Sequence, residues 1–229
     1  MTNIKTFFKP LALLSAFAAI LLLSAMTLKP RKIIFFGDSI TQAGVKPGGY
    51  VDLIKKALDS SKYEVIGAGI GGNKVYDLYL RMEDDVLNKK PDMVVIYIGV
   101  NDVWHKLSSR TGTDYDKFIR FYDALIKKIQ DNGSKVILCT PAVIGEKKNN
   151  ANEMDADLDK YSGAIREIAQ KNNLPLCDLR KIFKDYDASK NTEDKDKGIL
   201  TSDGVHLNAE GNQTVAANLL MLLKQAGFN

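Results

Sequence analysis

The chain reads as an α/β protein, a three-layer α/β/α arrangement with a five-stranded parallel sheet between helices. Three observations carry this. Short runs rich in Val and Ile recur five times and are apolar at nearly every position, as strands buried on both faces are. Stretches with apolar residues at helical spacing separate them. The two kinds of segment alternate, which calls for crossover connections and parallel pairing.

The first strand is placed at residues 32–36, the second at 63–67, the third at 93–98, the fourth at 135–139 and the fifth at 174–177. A helix over 50–58 puts Val51, Ile54, Ala57 and Leu58 on one face. Residues 75–87 do the same with Val75, Leu78, Met82 and Leu87. Residues 116–130 bury Phe118, Phe121, Leu125 and Ile129, and Gly133 supplies a stop. Residues 158–171 repeat the pattern with Leu158, Ile165 and Ile168, and 209–225 form the last helix, ended by Gly227. Two polar stretches, 145–156 and the charge-balanced 185–198, read as loops that vary access to a site. Residues 29–229 thus form one domain, with no internal repeat.

Residues 1–28 differ. Lys5 and Lys9 precede an uncharged apolar run from Leu11 to Leu28, and no acidic residue occurs before Asp38. This is the pattern of a cleaved signal peptide, with Leu23-Ser24-Ala25 as the cleavage site. The run is also near the length that spans a bilayer, so an uncleaved membrane anchor is the alternative. The expected location is periplasmic or extracellular.

Charge argues against nucleic acid as a partner. The net charge of +4 falls to +2 once Lys5 and Lys9 leave with the leader, and both signs are mixed throughout. Cys139 and Cys177 both lie in strand-like runs, and two buried free thiols are expected rather than a bridge.

Four polar segments follow strand or helix units. They are Gly37-Asp38-Ser39, Gly69-Ile70-Gly71-Gly72-Asn73, Gly99-Val100-Asn101-Asp102 and Asp203-Gly204-Val205-His206. A parallel sheet gathers such segments outside the carboxyl ends of its strands. Ser39, where strand turns to helix, suits a nucleophile. His206 suits the base that takes its proton, and Asp203 the acid that orients the ring. A tetrahedral intermediate needs fixed donors for its oxyanion, and the N–H groups of Ser39 and Gly72 and the amide of Asn101 are the candidates. Asp38 and Trp104 are assigned to substrate contact, with Tyr50 and Tyr76 as further flat surface for a sugar. His105 reads as a rim or substrate contact. Each segment alone also has a plain structural reading, as a turn, a helix cap or packing.

Together the four blocks resemble the SGNH (GDSL-type) hydrolase superfamily, from about Arg31 to the C-terminus. The resemblance implies a flavodoxin-like fold, no metal or other cofactor, Ser39 as nucleophile, and Asp203 and His206 as acid and base. It places the oxyanion donors on Ser39, Gly72 and Asn101. Many members carry Asn or Asp where this chain has Gly67, which loosens the register of the second block and makes Gly71 the fallback for Gly72. The expected activity is an exported serine esterase that cleaves small acyl esters through an acyl-enzyme, with O-acetyl groups on carbohydrate as substrate. A lysophospholipase or thioesterase would use the same triad. A metal-dependent hydrolase built on Asp38, Asp102, Asp203, His105 and His206 is the reading from another class.

Overall fold

A computed structural model describes residues 29–229. The leader assigned to residues 1–28 lies outside the described residues. The sheet is built from β1 (Arg31–Gly37), β2 (Tyr63–Gly69), β3 (Met93–Tyr97), β4 (Lys135–Cys139) and β5 (Leu176–Cys177). Its order is β2-β1-β3-β4-β5, and every pairing is parallel. The order reverses between β1 and β3, which opens a crevice at the carboxyl end of β1.

The described residues form eight α-helices: α1 (Ser39–Gly44), α2 (Tyr50–Ala57), α3 (Val75–Asp85), α4 (Val100–Ser108), α5 (Tyr115–Asp131), α6 (Asp155–Lys171), α7 (Leu179–Lys190) and α8 (Ala209–Gln225). None of them is long and apolar enough to cross a membrane. Alternation along β1 splits the core. Ile33 and Phe35 face Val51 and Ile54 of α2, Phe183 of α7 and Leu219 of α8. Ile34 and Phe36 face Leu78 of α3, Leu125 of α5 and Leu158 of α6. Strands covered on both faces must be apolar at successive positions, as the sequence is.

The flavodoxin-like sheet expected from the sequence is present, with shifted ends. β2 runs on to Gly69, and β5 shrinks to Leu176–Cys177 after Asn173, whose φ is +51°. Phe121 and Leu87 are only half-buried, and Phe121 stacks on Tyr76 and Tyr79 instead of entering the core. The loop placed at 185–198 is corrected, because α7 takes its first six residues. Asp178 caps α7 at the Lys181 N–H, and Leu179 and Phe183 are fully buried. Arg180 is buried in ion pairs with Asp155 and Asp159 of α6, both at 2.7 Å. Mixed charge hid these anchors.

Close approach at the carboxyl end of β2 is what lets α1 sit across β1 and β2. A Cβ at Gly69 would lie 2.2 Å from the Gln42 backbone nitrogen and 2.6 Å from the Asp38 carbonyl oxygen. Gly69→Ala is expected to lower stability by about 1–3 kcal/mol in urea unfolding, because only backbone could yield. Gly163→Ala, in α6 with no neighbouring atom within 4 Å, is expected to raise it by about 0.5–1 kcal/mol.

Candidate active site

β1 ends at Gly37, where any Cβ would strike Thr41 Oγ1 at 2.3 Å and the Tyr97 carbonyl at 2.4 Å. The chain turns there into α1, with Asp38 as its cap and Ser39 as its first residue. Ser39 is half-buried, and its Oγ lies 3.0 Å from His206 Nε2. On the other side of the ring, Nδ1 lies 2.8 Å from Asp203 Oδ2. The carboxylate assigns the ring proton to Nδ1, which leaves Nε2 to accept from the serine hydroxyl.

The loop carrying Asp203 and His206 holds itself in shape. Asp203 Oδ1 accepts the N–H groups of Val205 (3.0 Å) and His206 (2.8 Å). Ser202 N–H donates to the His206 carbonyl, and Thr201 bridges Leu207. Gly204 turns with a φ of +95° and donates its N–H to Thr201 Oγ1. Beneath it lies Glu146, 0 % exposed, whose carboxylate accepts the N–H groups of Ile199 (2.9 Å), Leu200 (2.6 Å) and Thr201 (2.7 Å). The stretch 145–156, expected only to shape access, therefore anchors the segment that delivers Asp203 and His206. Nothing local in the sequence distinguishes Glu146 from its charged neighbours.

The oxyanion candidates lie on neighbouring segments. Among the described residues, no acceptor takes the N–H of Ser39 or of Gly72. Gly71 N–H is engaged by Gln42 Oε1 at 3.0 Å, so it does not serve as the alternative donor. Gly72 adopts a φ of +76°, which glycine tolerates without strain. Asn101 is buried and spends one amide hydrogen on the Asn73 carbonyl (3.1 Å), which leaves the other. Gly67 lies inside β2, opposite Phe35, so the departure at that position falls in the strand and not in the turn.

Several expectations are corrected. Asp38 is 2 % exposed and its Oδ1 accepts the Ile40 N–H at 2.9 Å, so its carboxylate caps α1 and does not face substrate. Tyr50 is fully buried with its hydroxyl on Thr41 Oγ1, and offers no surface to a sugar. Asp102 is fully buried and accepts from Val75 N–H and the Thr113 hydroxyl. Among the described residues, no three His, Cys, Asp or Glu side chains are grouped to hold a metal ion, so the metal-site set does not assemble. Trp104 is half-buried and lines a groove of about 640 Å³ with Asn152, Asp203, Gly204 and Val205. The groove lies on the Asp203 side of the row, and Ser39 does not line it. His105 stands beside Gly72, with its Cε1 3.8 Å from where a Cβ on that glycine would be.

The acids around the row differ in setting. Asp203 is 53 % exposed on its side chain. Partial burial raises its pKa, but the bonds from the His206 ring and from two N–H groups outweigh this and hold it below the ordinary carboxylate range. Burial drives Asp38 up to about 7, with the charge of Asp102 adding to it and the Ile40 N–H and His206 opposing it. Burial likewise lifts Asp102 to about 7 against the pull of Thr113, Val75 and Lys74. Burial and Lys74 push His105 below its usual value.

A doubly covered parallel sheet with a hydroxyl, an imidazole and a carboxylate in a hydrogen-bonded row at its switch point has the arrangement of a serine hydrolase. The chain belongs to the GDSL-like lipase/acylhydrolase family, whose model matches residues 35–214. It is 29 % identical to an acetylxylan esterase of Geobacillus stearothermophilus, over 86 % of this chain and 94 % of that one. The crystal structure of the acetyl xylan esterase AlAXEase is 58 % identical and superposes with a TM-score of 0.83, covering 84 % of this chain and 99 % of the other. An isoamyl acetate-hydrolyzing esterase 1 homolog of Mus musculus is 24 % identical over 84 % of this chain and 81 % of its own.

The pKa shift of Asp38 makes stability depend on pH. Between about pH 4 and 7 the folded protein keeps a proton on Asp38 that the unfolded chain has released, so stability falls as pH rises through this window. Asp38→Asn keeps the cap to Ile40 and cannot ionise. It is expected to flatten the fall in urea midpoint between pH 4.5 and 7.5, and an unchanged slope would show that Asp38 is not its source.

Proposed function

We propose that this chain is an exported serine acetylesterase that removes O-acetyl groups from carbohydrate. The observation that carries the reading is the row itself, Ser39 Oγ to His206 Nε2 at 3.0 Å and His206 Nδ1 to Asp203 Oδ2 at 2.8 Å. Two matched proteins are named as acetylxylan esterases, one of them 58 % identical to this chain. Catalytic mutants of the Geobacillus stearothermophilus enzyme were made at a serine, an aspartate and a histidine, the last two three positions apart, the spacing of Asp203 and His206 here. Export rests on the basic and apolar pattern of residues 1–28. N-terminal sequencing of the protein recovered from its host distinguishes cleavage from retention as an anchor.

In this reading His206 Nε2 accepts the hydroxyl proton as Ser39 Oγ attacks the acetyl carbonyl carbon. Asp203 stabilises the imidazolium that forms and keeps the ring in its tautomer. The carbonyl oxygen becomes an oxyanion and takes hydrogen bonds from the N–H groups of Ser39 and Gly72 and from the free amide hydrogen of Asn101. Collapse of the tetrahedral species breaks the bond to the sugar oxygen, which leaves with the proton from His206. Water then attacks the acetyl-serine, again losing its proton to His206, and acetate departs as that proton returns to Ser39. The groove beside Trp104 and Asn152 offers a flat face and polar groups to the sugar.

Ser39→Ala is expected to reduce turnover of both 4-nitrophenyl acetate and acetylated xylooligosaccharides by more than about 1000-fold while leaving the fold unchanged. Turnover near that of the native protein rules out serine chemistry. Across 4-nitrophenyl esters from acetate to laurate, kcat/KM is expected to fall as the acyl chain lengthens. A maximum at long chains transfers the assignment to a lipase or lysophospholipase.

A further inference from the structure

Ser39, Gly72 and Asn101 belong to three separate segments, the turn into α1, the turn after β2 and the start of α4. An oxyanion hole works only if its donors are fixed in advance in one geometry. Arg81, on α3, reaches the first two of these segments directly and the third through Asn73. Its Nη2 donates to the Gly37 carbonyl at 2.8 Å and to the Ala68 carbonyl at 3.0 Å. Its Nε donates to Asn73 Oδ1 at 2.7 Å. Nη1 pairs with Asp85, and the guanidinium lies 4.5 Å above the Phe36 ring.

These acceptors are neighbours of the donors. Gly37 stands two residues before Ser39, and its carbonyl also takes the Ile70 N–H at 3.3 Å. Asn73 follows Gly72 directly, and its own carbonyl accepts the Asn101 amide at 3.1 Å. Asn73 N–H closes the turn onto the Ile70 carbonyl at 3.3 Å. A planar fork with fixed donor directions can serve all these points at once, whereas an ammonium cannot. Attachment of α3 to the sheet does not require Arg81, since Val75, Leu78 and Met82 are buried there and Asp77 caps the helix start. Its side chain is 16 % exposed, so these hydrogen bonds are largely shielded from water.

We propose that Arg81 is a positioning residue of the oxyanion hole, locking the turn that bears Gly72 to the turn that bears Ser39 and, through Asn73, to Asn101. The proposal rests on the serine-esterase reading above. Arg81→Ala and Arg81→Lys are compared with native protein and with Ser39→Ala on 4-nitrophenyl acetate. Each is also titrated with phenylboronic acid, which forms a tetrahedral adduct on a reactive serine. Arg81→Ala is expected to lose about 100-fold in kcat, as misplaced groups do, with KM little changed. Phenylboronic acid is expected to bind more weakly by a similar factor, and added guanidinium at non-denaturing concentration to restore part of the rate. Arg81→Lys is expected to recover only a minor share.

Native kcat in Arg81→Ala overturns the proposal. So does a loss of kcat with unchanged boronic acid affinity, or a loss that merely follows the folded fraction seen by circular dichroism. Where Arg81→Ala does not fold, the same comparison of kcat with boronic acid affinity in Arg81→Lys decides. Turnover surviving in Ser39→Ala overturns the serine reading instead, which is a separate result.

Discussion

The site depends on one buried carboxylate that never faces the cleft. Glu146 holds three successive N–H groups, of Ile199, Leu200 and Thr201, with both of its oxygens. A buried charge is costly unless it is matched by donors, and here every donor comes from the backbone. The loop bearing Asp203 and His206 springs from this fixed point and is closed by Ser202 on His206 and by Gly145 on Gly204. His206 is 167 residues from Ser39 along the chain, so their meeting at 3.0 Å is a tertiary achievement. Side-chain burial contributes little to it, because Asp203 and His206 are 53 % and 34 % exposed.

That exposure shapes the electrostatics. A carboxylate in water attracts an imidazolium only weakly, since solvent screens the pair. What Asp203 retains is direction: one oxygen fixed by two N–H groups of its own loop, the other on the ring. Two of the deeply buried carboxyls, Asp38 and Asp102, lie behind the backbone of α1 and α4 and are pushed up to about 7 for lack of water. Acids of one type thus divide into an exposed one that steers a ring and buried ones that cap helices.

The sheet and its site segments were legible because strand runs and polar breaks are local patterns. β1, β3 and β4 and the helices α2, α3, α5 and α8 fall within a few residues of where periodicity puts them. The segments around Ser39, Gly72 and Asn101 could be read because each follows such a run, and the one around His206 because it leads into the last helix. Asp38 could not be judged, since burial decides whether an aspartate beside a serine faces the cleft or caps the helix. α7 was half hidden because its charged residues are answered by partners on α6, which composition cannot reveal. Glu146 and Arg81 escaped for the same reason. Glu146 is held by N–H groups 53 to 55 residues away and Arg81 reaches carbonyls 13 and 44 residues away, and carbonyls and N–H groups leave no trace in a sequence.

Cys139 and Cys177 sit opposite each other in β4 and β5, both buried and both free. Burial and the neighbouring sulfur push the Cys139 thiol well above its ordinary range, so it stays protonated and unreactive. β5 is a two-residue edge strand, and parting it from β4 is the step that would bare both sulfurs. The pair is thereby a built-in reporter of sheet opening: an alkylating reagent stays silent on the closed edge and marks each molecule whose last strand has peeled away.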